Sequence, residues 1–307
     1  MKQHRSMQST NRGIAFTYKK ETLRIILACT MLQSLPVSAL DVLPGAYKPR
    51  PAGTDIAQFS YTHTERNKQF IKGNQRSINA RLDSDINQLR YIHYMDIAGY
   101  RIQQNIILPF GKFEASQDSS ALGSASGQAD LALSASVWLV NNPETNTYFA
   151  ITPYLSLPTG DYDNSKSLNL GENRWKLTLQ AGLNAEISNK VHFDLATDIT
   201  TYGNNTEYGA SSATLKQDQS YQATTHLRYI FSPAFQLSAG WSTVWGGETE
   251  VNGVKKGDAL RTTKFILGAA YLFRPSTQFS GTYSRDLSVK NGFMVSNRLL
   301  LRLSQAF

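Results

Sequence analysis

Four histidines and a set of carboxylates on shared strand faces are the side chains of this chain best suited to proton or metal chemistry. Beyond residue 40 the histidines are His63, His93, His192 and His226. Read with a period of two, His192 shares a strand face with Asp194 and Asp198, and His226 shares one with Arg228. An imidazole beside carboxylates is the raw material of a metal site or of acid–base catalysis. The surrounding pattern points instead to the polar filling of an interior. No Ser/His pair stands at hydrolase-like local spacing, no Gly-rich phosphate loop follows a strand, and no metal-ligand cluster is spelled out. The sequence therefore offers no catalytic residue, no metal and no cofactor. By the same count Arg101, Asp130, Lys176, Glu186, His192, Asp194, Asp198, His226, Arg228, Lys264, Asp286 and Arg302 fall on one side of their strands. A lining of both signs either fills a lumen with ion pairs or leaves a narrow selective path. Neutral imidazoles at His192 and His226 would hydrogen-bond a phenolic or amide solute. Charging them would change the lining near pH 6–7, where an ordinary histidine titrates.

The elements that must position these residues are strands. Trp175, Leu177, Leu179, Ala181, Leu183, Ala185 and Ile187 alternate with Lys176, Thr178, Gln180, Gly182, Asn184, Glu186 and Ser188, and three later runs behave alike. Strands are expected near 55–66, 78–95, 98–114, 127–140, 147–159, 172–188, 191–203, 217–231, 235–248, 258–274, 277–289 and 292–307. Several exceed the five or six residues of an ordinary soluble strand and suit a tilted membrane crossing. Connections alternate between short turns, such as Asn189-Lys190 and Pro275-Ser276, and long polar loops near 67–77, 115–126, 160–171, 204–216 and 249–257. The last run puts Leu299, Leu301, Leu303 and Phe307 on one face, with Arg298, Arg302, Ser304 and Ala306 on the other. A terminal aromatic closing an amphipathic strand is the signature of a bacterial outer-membrane barrel, with Phe307 as its assembly signal. Gln305 departs from it, and the last strand of a soluble sandwich is the competing reading. The expected fold is all-β: a transmembrane antiparallel up-and-down β-barrel of about 12 strands over 55–307. Tyr100, Phe110, Trp138, Trp175, Tyr202, Phe231, Phe235, Trp245, Phe273 and Phe279 are expected in its interfacial girdles. Arg285, on the face of Phe279 and Leu287, must snorkel outward or mark a register slip.

Before residue 40 the pattern changes. Lys19, Lys20 and Arg24 precede the apolar run Leu23 to Leu35 and the small-residue site Val37-Ser38-Ala39, which reads as a signal peptide over 1–39. Its six basic residues against Glu21 give +5, so a total of +8 leaves +3 for the mature chain, with no basic stripe for nucleic acid. The single cysteine, Cys29, lies in the leader, so no mature thiol, disulfide or Cys-metal chemistry is expected. Residues 40–54, with Pro44, Pro49 and Pro51, read as an extended periplasmic lead-in.

Three stretches resemble a known family. They are Asp41-Val42-Leu43-Pro44-Gly45-Ala46-Tyr47 through Thr54, Gly127-Gln128-Ala129-Asp130-Leu131 with Trp138 beyond it, and Leu157-Pro158-Thr159-Gly160-Asp161-Tyr162 followed by Leu170-Gly171-Glu172-Asn173-Arg174-Trp175. Together, over 41–307, they look like the outer-membrane transporters associated with meta-pathway phenol degradation. The chain is expected to be a monomer surrounded by lipid, its last strand read by the barrel assembly machinery, and the resemblance implies a β-barrel of the bacterial cell outer membrane. It also implies passage of small organic solutes, aromatic or hydrophobic ones among them. The loop carrying Asp161, Tyr162 and Asn173 either folds over the mouth and shapes access or is simply a long hairpin turn. A closed barrel serving structure or surface contact is the alternative, and an outer-membrane enzyme acting through His192 or His226 is a third.

Overall fold

The computed structural model describes residues 42–307. The expected leader, with Cys29, lies outside the described residues, as do Leu40 and Asp41. Among those described, alternating apolar and polar residues produce twelve long antiparallel strands: β1 Asp55–Ile71, β2 Ala80–Ile97, β3 Tyr100–Gln117, β4 Ala132–Asn142, β5 Thr147–Ser156, β6 Lys176–Ser188, β7 Val191–Tyr202, β8 Ser220–Ser232, β9 Phe235–Gly246, β10 Leu260–Arg274, β11 Thr277–Val289 and β12 Gly292–Ala306. Each pairs with its sequence neighbour, and β12 pairs back onto β1 through Ile56↔Ala306 to Phe70↔Gly292, so the sheet closes and no long edge is left unpaired.

The two faces are those the alternation predicts. On β6 the outward Leu179 is 50% exposed and its inward neighbour Gln180 is 1% exposed. Leu227, Trp241, Leu267, Leu299 and Leu303 likewise face out, an apolar belt that only lipid would cover. No helix among the described residues is long and apolar enough to cross a membrane. Tight turns at Ala98-Gly99, Asn189-Lys190, Pro233-Ala234 and Pro275-Ser276 gather at the end that also holds Asp55 and Phe307. Ala98, Asn146 and Lys190 have positive φ there. The long loops gather at the other end. In bacterial barrels the short turns face the periplasm.

Four expectations change. Trp138 and Tyr202 are not girdle residues: counted in twos from Ser134 and Thr200, both point inward, and Trp138 is buried. Arg285 does face outward, and the slip lies just beyond it. A bulge between Thr263 and Lys264 leaves Leu287 and Ser288 exposed and turns Val289 inward. The long loops are not plain loops. Segments 205–208, 213–217, 249–251 and 254–255 pair into a small sheet over the mouth, and 124–128 adds to β3. Finally, the start of the lead-in is coiled rather than extended: Ala46 N bonds Leu43 O at 3.1 Å and Lys48 N bonds Gly45 O at 3.2 Å.

Candidate functional site

The coiled lead-in sits inside the barrel, in the half nearest the short turns. Tyr47 OH donates to Gln180 Oε1 at 2.6 Å, and Gln180 Nε2 donates onward to Asp198 Oδ2 at 3.0 Å. Trp138 Nε1 donates to Tyr47 O at 2.8 Å. Gly45 N donates to Asp194 Oδ2 at 3.2 Å, and His226 Nε2 lies 3.1 Å from Val42 O. A carbonyl only accepts, so His226 carries its proton on Nε2. Room for this insert is written into β6: a Cβ at Gly182 would overlap the Tyr47 ring. Val42 and Tyr47 then bury against Ile56, Ile92, Tyr94, Trp138 and Tyr148.

Beneath the insert lies an ion pair. Arg228 Nε donates to Asp194 Oδ2 at 2.5 Å with both side chains 5% exposed, and Asn184 Nδ2 completes the carboxylate's shell. His192 stands opposite Arg228 in register and opposite Glu186 on the other side. His226 is buried against the insert, and His192 lies beside the Arg228–Asp194 pair. Glu186 binds Asn146 of a short turn at 2.7 Å, and Arg101 pairs with Asp96 at 2.5 Å on the rim, so both sit at the short-turn end. Lys264 lies beside Asp286 in register, in the long-loop half.

The opposite mouth is filled by the loop 157–175. Leu168 and Leu170 enter it and bury against Leu82, Phe113 and Ala129. The base of the loop is a clasp of two glycines: a Cβ on Gly160 would lie 2.7 Å from Gly171 Cα, and one on Gly171 would lie 2.6 Å from Gly160 C. Asp130 staples the clasp, its carboxylate accepting Gly160 N and Glu172 N, each at 3.0 Å. Burial nevertheless raises the Asp130 carboxyl above its ordinary range. Asp161 Oδ2 accepts Gln128 N at 2.9 Å, and Tyr162 OH donates to Glu207 O at 3.0 Å. Asn173, at φ 51°, bonds Asn205 and Glu207 of the small outer sheet. Glu172 takes Lys176 at 2.5 Å and Arg174 at 2.8 Å. Burial opposes its ionisation, but the two cations outweigh burial and hold its carboxyl down at about 2. Arg174 also lies over the Tyr202 ring, 4.7 Å from its centroid.

Between the inserts the two walls differ. The β4–β9 side is filled by hydroxyl pairs, Thr152–Ser136 and Thr224–Ser242 at 2.8 Å and Thr178–Thr200 at 2.7 Å. The opposite side is hollow. A cavity of about 560 Å³ lies beside the lead-in, bounded mainly by β1, β2 and β8–β12 and reaching Ser136, Tyr154 and Gln180 of the filled wall; Gln58, Gln278, Ser304, Arg90 and Arg302 line it. Of the expected lumen residues this cavity touches His192, Arg228 and Arg302; Lys264 and Asp286 lie together in the long-loop half, and the rest brace the inserts or the rim. Sequence reasoning missed the roles of Tyr47 and Arg90. The one available signal was Gly182, an inward glycine in mid-strand, which marks a close approach.

The comparisons with known proteins agree with this geometry. Residues 62–303 match the family model described as "Putative MetA-pathway of phenol degradation". A solved COG4313 outer membrane channel from Pseudomonas putida F1 is 36% identical, with 87% of this chain and 100% of that chain covered at a TM-score of 0.85. The beta domain of the Bordetella autotransporter Brka, at 10% identity, 82% and 99% coverage and a TM-score of 0.49, adds nothing beyond this. No curated protein matches the chain. A closed twelve-stranded barrel with a lipid-facing belt, matched over most of its length by a family model and by a solved channel, is an outer-membrane protein, and this chain belongs to the MetA-pathway phenol-degradation family.

Proposed function

We propose that the barrel is a passive conduit for small organic solutes across the outer membrane, working as a monomer and inserted by the barrel assembly machinery. The observation that carries this is the cavity of about 560 Å³ inside a closed barrel, a volume suited to a small organic molecule. Its mixed lining of amides, hydroxyls and apolar side chains suits an amphiphilic ring better than a sugar or an ion alone. The lead-in and the loop 157–175 would act as restraints on passage, since they occupy the two ends of the lumen. No reaction is proposed for the barrel, and His192 and His226 are read as part of its lining and packing. The 36% identical solved protein is named a channel, which supports the same reading.

Both ends being occupied also favours a second reading, a closed barrel that serves structure or surface contact. Uptake into liposomes carrying the purified protein separates the two. The conduit reading expects flux of small aromatic solutes, increased when residues 42–49 are deleted. No flux in either form would leave the closed barrel.

A further inference from the structure

We propose that the lumen cavity is a carboxylate-recognition site built on Arg90 and Arg302, so that the favoured solutes are small organic acids with an apolar body. This rests on the conduit reading and names its substrate class. The lining of the cavity includes Arg90, Arg302, Arg228, Lys48 and Arg50, and not one aspartate or glutamate. Arg228 is neutralised by Asp194. Arg90 and Arg302 are not neutralised: among the described residues their partners are the neutral oxygens of Asn105, at 2.9 Å, and Ser60, at 2.8 Å. In each case Nε is used against the wall, leaving the terminal fork of the guanidinium for the cavity.

The strand order brings these forks together. Arg302 stands beside Ser60 and Arg90 beside Gln58, so the two flank β1 on its inward face, two residues apart in level. Their Cα atoms are therefore about 10–12 Å apart, from strand spacing and rise, and long side chains close most of that gap. Two like charges so placed on either side of β1 repel each other. A protein interior holds two like charges at a cost that an anion between them removes. A guanidinium fork matches a carboxylate in two parallel bonds, better than it matches a spherical halide. Tyr154, Ile230 and Leu272 line the same space and would cover a hydrocarbon ring. A single-ring carboxylate satisfies both halves of this lining, whereas an organic cation would meet only like charge.

The test is reversal potential in planar bilayers across a tenfold sodium benzoate gradient, with sodium chloride and benzyltrimethylammonium chloride gradients beside it. Wild type should favour benzoate over sodium, and should favour benzoate over chloride. It should favour sodium over benzyltrimethylammonium. The double variant R90Q/R302Q should lower the benzoate-to-sodium permeability ratio at least about fivefold, and R90K/R302K should restore most of the charge preference with less benzoate-over-chloride preference. Calorimetric titration of benzoate into detergent-solubilised wild type and variants reads the same site without requiring flux. A wild type that conducts but shows no benzoate preference, or one whose preference survives R90Q/R302Q, overturns the proposal. Equal benefit to chloride and benzoate reduces it to general anion attraction and overturns the carboxylate claim. A wild type that binds benzoate through the arginines but passes no solute overturns the conduit reading alone.

Discussion

At the scale of single residues, what a side chain contributes here depends on which way an alternating strand turns it. Leu179 and Gln180 are neighbours in sequence and opposite in environment. Leu179→Arg puts a charge against lipid and should cost about 2–4 kcal/mol if it lies near the bilayer midplane, read from denaturant unfolding in lipid vesicles. Thr282→Arg, pointing into the hollow side of the lumen, should cost far less. Gln180→Arg is not the harmless comparison that the face count alone suggests. Gln180 is fully enclosed and holds Tyr47 and Asp198 together, so an arginine there overfills the site and breaks both bonds. Equal costs for Leu179→Arg and Thr282→Arg would mean that the lipid and lumen sides are wrongly assigned. Glu172 gives a pH prediction. Its folded carboxyl, near 2, lies below its ordinary value of 4.5, so the closed clasp binds fewer protons than the open loop. The stabilisation is complete above about 4.5, is lost as pH falls towards 2, and amounts to about 3 kcal/mol. Conductance should therefore rise on acidifying the external side through that window. Glu172→Gln should show the raised conductance already at neutral pH, and a flat profile in wild type would remove Glu172 from the clasp.

At the scale of elements, two inserts decide whether the lumen is open, and they were unequally legible in the sequence. Strand positions and faces follow from period two, because burial on one side and lipid on the other impose it directly. The mouth loop was half legible: Gly160 and Gly171 are conspicuous, but nothing local says that Leu168 and Leu170 turn inward to meet Leu82 and Phe113. The lead-in was illegible. Val42–Lys48 is held by single bonds to Gln180, Asp194 and His226, more than 130 residues away, and such contacts leave no periodic trace. Trp138 was misread for the same reason, since its inward partner, the carbonyl of Tyr47, is set by tertiary structure. The lead-in yields a clean test. Gly182→Ala places a methyl where the Tyr47 ring lies and should displace the insert as effectively as Tyr47→Ala. Both should raise conductance several-fold and shift the fluorescence of buried Trp138 to the red, with β-sheet circular dichroism unchanged. If Gly182→Ala leaves conductance as it is, the lead-in is not what narrows the lumen.

For the whole molecule, closure is the property on which everything else depends, and it is completed by the last residue. Phe307 and Asp55 exchange both backbone bonds, Phe307 N to Asp55 O at 3.0 Å and Asp55 N to Phe307 O at 3.1 Å. Its ring is 71% exposed, on the outward face with Leu299 and Leu303. Gln305, the departure from the terminal pattern, also faces outward and is satisfied near the turn by Thr277 Oγ1 at 2.7 Å, so it does not break the seam. Two roles for Phe307 are thus separable. As a structural element it supplies two hydrogen bonds, worth about 0.5–1.5 kcal/mol each, at the frayed end of a seam that runs the length of β1 and β12. As an assembly signal its exposed ring would be read by the insertion machinery before the barrel closes. Deleting Phe307 should accordingly leave refolding into detergent nearly intact, with the folded form still migrating faster than the boiled one on a gel. The same deletion should sharply lower the amount reaching the outer membrane in cells, and Phe307→Tyr should restore it. Loss in both settings would make the residue a structural lock, and loss in neither would remove it from assembly altogether.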